Sequence, residues 1–144
     1  MLEAGGEVFL DERDLWPNGD FVTTHIIVRT GYLEDHPDII ESFLRGHVET
    51  IQWIGANPEE AKQVTNQAIE DISGAALAPE IIDAAWGNLS FTYDPIASSL
   101  RESAAKAFEL EFLEAEPNLD DPGIYALDTL NAVLQEEGLP AVSE

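Results

Sequence analysis

Two periods of apolar spacing divide this chain. From Phe21 to Val28 the run Phe-Val-Thr-Thr-His-Ile-Ile-Val is β-branched and aromatic, with Pro17-Asn18-Gly19 before it and Thr30-Gly31 after it. That is the pattern of a buried strand. Gly6 to Leu10 is a second, shorter strand candidate. A buried strand must hydrogen-bond to neighbours along both edges, yet everything after Tyr32 reads as helix. The pattern therefore predicts an α/β chain that is predominantly helical, with one or two N-terminal strands followed by about five helices. It also predicts that the sheet is completed by a missing N-terminal half or by a second copy.

Prolines mark where those helices start. His36-Pro37, Asn57-Pro58, Ala78-Pro79, Asp94-Pro95 and Asp121-Pro122 each put proline where its absent N–H costs nothing and its fixed φ suits a first turn. The first helix aligns Ile40, Phe43, Leu44, Val48, Ile51 and Ile54 on one face. The second, Pro58 to about Ile72, carries Ala61, Val64, Ala68, Ile69 and Ile72, with Asn57 as its expected cap and Gly74 as its stop. The third offers Ile82, Ala85, Trp86 and Leu89. The fourth runs from Pro95 through Leu100, Ala104 and Phe108 to about Leu113. The fifth begins near Pro122 and buries Tyr125, Leu127, Leu130, Val133 and Leu134. Between the third and fourth, Leu89 to Asp94 alternates apolar and polar residues, as a short extended segment does.

Composition narrows the function classes. The 144 residues hold 29 Asp and Glu against 6 Lys and Arg, a formal charge of −23. Such a surface repels phosphate backbones and anionic lipid heads, so nucleic acid is not an expected partner. The simplest reading of this excess is a solvated, soluble exterior; a salt-adapted source is the sharper one. Without cysteine there is no disulfide, thiolate metal site or Cys nucleophile. No apolar run approaches the length of about 20 residues that a membrane helix needs, and the first residues lack the pattern of an export signal.

Catalytic chemistry finds little support. His36 and His47 stand 11 residues apart on a helix and would be about 16 Å apart, too far to share an ion. Carboxylate pairs such as Asp11/Glu12, Glu34/Asp35, Glu59/Glu60 and Asp120/Asp121 fall mostly in loops or first helical turns, where they suit the helix dipole. No nucleophile elbow, phosphate-cradling glycine loop or zinc-binding helix motif is present. Neither a cofactor nor a metal is expected, and the chain does not read as an enzyme. Trp53 and Trp86 sit in helical stripes and read as core.

The candidate binding residues are polar interruptions of apolar segments. Thr23 and Thr24 break the strand, and small hydroxyls there can hydrogen-bond an oxyanion; the plainer alternative is that one of them faces solvent at an edge. Trp16, just before Pro17, is either a loop anchor or a ligand-facing hinge residue. Thr92 and Asp94 form a further pair, although Asp94 is most simply the N-cap of the helix at Pro95.

Read together, these segments resemble a family. Gly5–Glu12, then Leu15-Trp16-Pro17, Gly19, Phe21–His25 and Ile27-Val28-Arg29 are similar to the second half of the solute-binding proteins of ABC importers for aliphatic sulfonates and related nitrate- or taurine-type anions. Leu33 with His36-Pro37-Asp38, His47–Ile51, Asn57–Ala61, Phe91–Leu100 and Leu139–Val142 continue the similarity along the chain. The resemblance implies a two-lobed fold of the type II periplasmic-binding-protein kind. In it, residues 1–20 end one lobe and approach the hinge, 21–30 are a crossing strand, and 31–144 are the helical C-terminal part of the other lobe. The family's first lobe and a Glu-Pro-Trp motif would lie before Met1.

The same resemblance implies noncovalent capture of a small sulfonate-like anion by closure of the lobes, a membrane permease as partner, and an extracytoplasmic location that no signal in this chain indicates. A stand-alone helical module for protein–protein interaction is the competing expectation. An enzymatic role like that of the pyrimidine-synthesising relatives on a similar fold would need side chains this segment does not display.

Overall fold

A computed structural model describes residues 4–119 and 124–143. Among them every regular element is a helix: α1 (Thr30–Asp35), α2 (Pro37–Ala56), α3 (Pro58–Ser73), α4 (Pro79–Trp86), α5 (Ala97–Glu109) and α6 (Leu127–Glu136), preceded by 3-10 turns at Glu12–Leu15 and Pro17–Gly19. Pro37, Pro58 and Pro79 stand at the first residue of their helices, as their spacing predicts. Gly74 closes α3 in the left-handed conformation at φ 85°, where a Cβ would be strained.

The expected strands do not form. Neither Phe21–Val28 nor Gly6–Leu10 is paired, and no strand occurs among the described residues. The α/β architecture with its N-terminal strands is therefore corrected: among the described residues the regular structure is helical throughout. The physical reason is that β-branched residues favour a strand only when a ladder is available to accept their amides. The described chain offers no such partner, and Ile26, Ile27 and Val28 stay exposed, Ile27 at 91%. Val22 instead gives its amide to a helix side chain, as described below.

Several boundaries also differ from the pattern. α1 was masked in the sequence by Gly31, a poor helix former. Asn57 makes no side-chain cap on α3; its amide nitrogen donates back to the Trp53 carbonyl at 3.0 Å and so closes α2. α4 stops at Trp86, before Leu89, and Leu89 to Asp94 is irregular. α5 begins at Ala97, two residues after Pro95, and ends at Glu109. The helix start expected at Asp121-Pro122 lies outside the described residues, as does the Asp120/Asp121 pair.

The chain divides into two compact units. One consists of Gly46–Tyr93 with the described part of Met1–Gly6; the other consists of Glu7–Arg45 and Asp94–Glu144 in their described parts. In the first, Val48, Ala61 and Ile82 are buried, from α2, α3 and α4 respectively. Lys62 on α3 reaches both Glu59 and Asp83, each at 2.8 Å, tying α3 to α4. The Asn66 side chain accepts the Leu77 amide at 2.8 Å and donates to the Leu77 carbonyl at 2.9 Å, fixing the connection between those helices.

In the second unit the buried residues are Ala97 and Ser99 of α5 and Leu130, Val133 and Leu134 of α6. Arg45 joins α2 to the end of α6 through Glu136 at 2.6 Å and Glu137 at 3.5 Å, and also pairs with Glu41 one turn back. Asn131 exchanges two hydrogen bonds with Val142, which fastens the C-terminal segment along α6. Three buried apolar side chains on ten residues make α6 the densest part of this core.

Candidate functional site

The start of α5 is built by Asp94 and Pro95. The Asp94 carboxylate accepts the Ile96 amide at 2.8 Å, a turn that aspartate readily makes over two residues. Asp94 is therefore not the N-cap expected for it: it makes a turn ahead of the helix, and the N-cap position falls on Ile96, with no side-chain cap. Ile96 lies at φ 50°, ψ 70°, a left-handed conformation that a β-branched residue adopts only at a cost of about 1–3 kcal/mol. The bend leaves the Pro95 carbonyl outside the helical ladder, so it can accept from elsewhere.

Residues 20–25 run against this bend. The Val22 amide donates to the Ser99 hydroxyl at 3.2 Å, across 77 residues of sequence. His25 Nε2 lies 3.0 Å from the Pro95 carbonyl, across 70 residues. A carbonyl only accepts, so Nε2 carries the proton. Thr23 and Thr24 sit between these two ties, and both are exposed. Three of the predicted binding residues, Thr23, Thr24 and Asp94, are thereby gathered at one end of one helix.

Trp16 belongs to the same unit but is fastened on every polar side. Its indole N–H donates to Glu12 at 2.9 Å, its ring packs on Phe21 with centroids 4.9 Å apart, and the Lys106 ammonium sits 4.2 Å from the ring centroid. Lys106 also donates to the Leu15 carbonyl at 3.0 Å and pairs with Glu102 at 3.4 Å. The cation–π contact is worth about 0.5–1 kcal/mol at such a site. These contacts hold the turn before residue 20 to α5. Thr92 falls in the other unit, where it is exposed.

Ser99 is the residue that pattern reading passed over. It lies within the Phe91–Leu100 segment, where a serine inside an apolar helical stretch looks like a tolerated surface position. It is 4% exposed, and its hydroxyl is the acceptor that holds residue 22. A signal was available: Ser99 follows Ile96 by three residues and precedes Leu100, on the stripe expected to be buried.

Compared with protein-family models, with curated proteins and with solved structures, the chain shows no significant match. The site offers two exposed hydroxyls, a helix start without a side-chain cap, a histidine N–H already engaged, and one carboxylate. Among the described residues no three His, Asp or Glu side chains gather as metal ligands. Two open surface depressions, of about 530 Å³ beside α6 and about 420 Å³ beside α5, are lined by other residues and bring no convergent charge to these. No described helix is long and apolar enough to cross a membrane.

Two histidine and carboxylate environments outside the site are perturbed. Burial lowers the His47 pKa below its ordinary 6.5. The Arg13 guanidinium, 2.6 Å from the Asp11 carboxylate, together with the Arg13 amide, holds Asp11 at about 2. Both side chains of that pair are solvated, so its contribution to stability is small.

Proposed function

We propose that this chain acts in the solute-binding component of an ABC importer for aliphatic sulfonates or similar small anions, by noncovalent capture. The observation that carries this reading is the meeting of two segments on which the family resemblance rests. Phe21–His25 and Asp94–Leu100 are separate in sequence and joined by the Val22–Ser99 and His25–Pro95 hydrogen bonds. What they present suits capture: threonine hydroxyls and a helix start can bind an oxyanion without a covalent step. The ligand would be handed to a membrane permease from outside the cytoplasm, and no bond would be made or broken.

The net charge of −23 slows an anion's approach but does not forbid binding, since neighbouring dipoles decide affinity over a few ångströms while the wider field is screened. Asp94 is already committed to the Ile96 amide, which leaves the hydroxyls as the groups free to select a ligand. Calorimetry with methanesulfonate, taurine and nitrate tests the reading. Heat of binding with at least one is expected, and no heat with any of the three would overturn it.

A second reading, a helical interaction module, is favoured by a different observation. Phe9, Ile27 and Phe112 are exposed at 101%, 91% and 78%, apolar side chains that a partner would bury. Light scattering over a hundredfold range of concentration decides this reading. A concentration-dependent rise in mass supports it, and a monodisperse monomer throughout contradicts it.

A further inference from the structure

We propose that residues 21 to 28 are the contact through which two copies of this chain associate, laid antiparallel with their backbones hydrogen-bonded to each other. This rests on the interaction-module reading above and names its partner and its surface. Six of the eight residues, Val22, Thr23, Thr24, Ile26, Ile27 and Val28, are β-branched, and Ile26 and Ile27 are 53% and 91% exposed. None of the eight takes part in a backbone–backbone hydrogen bond. The backbone is extended at both ends of the segment, with Asp20 at φ −88°, ψ 103° and Arg29 at φ −71°, ψ 131°. A single chain has no ladder here, and it offers unpaired backbone groups to a chain that comes alongside.

Charge says which chain that is. Residues 21 to 33 are the longest stretch of this sequence without a carboxylate. Two copies, each at −23, can meet there without setting carboxylates against one another. The eight residues are bracketed by Asp20 and Arg29, both exposed. Neither forms an ion pair or a side-chain hydrogen bond among the described residues, although Arg29 sits in a chain of 29 acidic residues. An antiparallel second copy brings its Asp20 to the Arg29 end and its Arg29 to the Asp20 end, so the segment is complementary to itself. A parallel copy would set like charges together.

The fold also sets the stoichiometry. The Ser99 hydroxyl accepts the Val22 amide at 3.2 Å, so that edge of the segment faces α5. In extended backbone successive amides point to opposite edges, which turns those of Thr23, His25 and Ile27 outward. With one edge covered and one open, association closes at two copies and does not run on into a fibre.

Sedimentation velocity and amide hydrogen exchange on the full chain test this. Wild type should pass from one copy to two as its concentration rises, and go no higher. Asp20→Arg and Arg29→Asp should each weaken dimerisation about threefold to thirtyfold, and the two together should restore it. Ile27→Lys should weaken it about tenfold or more, whereas Phe112→Ser, which removes another exposed apolar side chain, should leave it unchanged. On dimerisation, exchange should slow at Thr23, His25 and Ile27 and stay fast at Thr24 and Ile26. Exchange in α6 should be the same in every variant, which separates a lost contact from a lost fold. Self-association that ignores the charge variants, or protection that does not alternate along the segment, would overturn the proposal and leave the interaction-module reading standing. A wild-type chain that stays monomeric at every concentration would overturn both.

Discussion

At the scale of single residues, burial and partner count separate side chains that look alike in sequence. Leu134 is fully buried between α6 and its neighbours, whereas Ile72, at the end of an equally regular stripe, is 89% exposed. Leu134→Ala should cost about 2–5 kcal/mol in urea unfolding, and Ile72→Ala should stay within about 0.5 kcal/mol. His47 gives a pH signature. Its folded pKa lies below the unfolded 6.5, so the unfolded state binds the proton more readily and stability is lost as pH falls through 6.5. His47→Gln removes that loss. Measured against wild type at pH 7.5 and pH 5.5, the variant should gain relative stability at the lower pH; an unchanged difference would show that burial of the imidazole is not felt.

At the scale of elements, what was legible in the sequence follows from where the controlling interaction lies. The starts of α2, α3 and α4 were readable because proline acts on its own residue, through a missing N–H and a fixed φ. The start of α5 was not, because Asp94 reaches over Pro95 to the Ile96 amide and forces a left-handed isoleucine, a choice set by three residues together. The strand at Phe21–Val28 misled for the opposite reason. Its composition reports what a ladder would accept, and no ladder exists among the described residues. Asn57 likewise has the chemistry of a cap but turns back to Trp53. Asn66 shows how such side-chain ties matter: Asn66→Ala leaves the Leu77 amide and carbonyl without their partner and should destabilise the α3–α4 connection by about 1–3 kcal/mol, read as faster exchange at Leu77 and an earlier urea midpoint.

For the whole molecule, charge is the dominant field. Arg13, Arg45, Lys62 and Lys106 are each engaged by one or more carboxylates, yet 29 acidic residues face 6 basic ones, so most carboxylates repel one another without compensation. Salt at about 0.15 M shortens the reach of that repulsion to about 8 Å, and more salt shortens it further. The thermal midpoint should therefore rise as sodium chloride is raised from 0.02 to about 0.5 M; a falling midpoint would mean that the surface ion pairs outweigh the repulsion. Of the candidate site, the charge and hydroxyl chemistry was visible in the sequence, and so was the identity of Thr23, Thr24 and Asp94. Their convergence was not, since it depends on a serine 77 residues away from the amide it holds.

The central claim is that the segment at residues 22–25 and the start of α5 together meet a small anion. Amide chemical shifts recorded while methanesulfonate is titrated into the chain test it most directly. The account predicts saturable shifts confined to Val22, Thr23, Thr24, His25 and the amides of Ile96 to Ser99, with α3 and α6 unmoved. Shifts that never saturate, or that fall on other residues and leave these still, would contradict it.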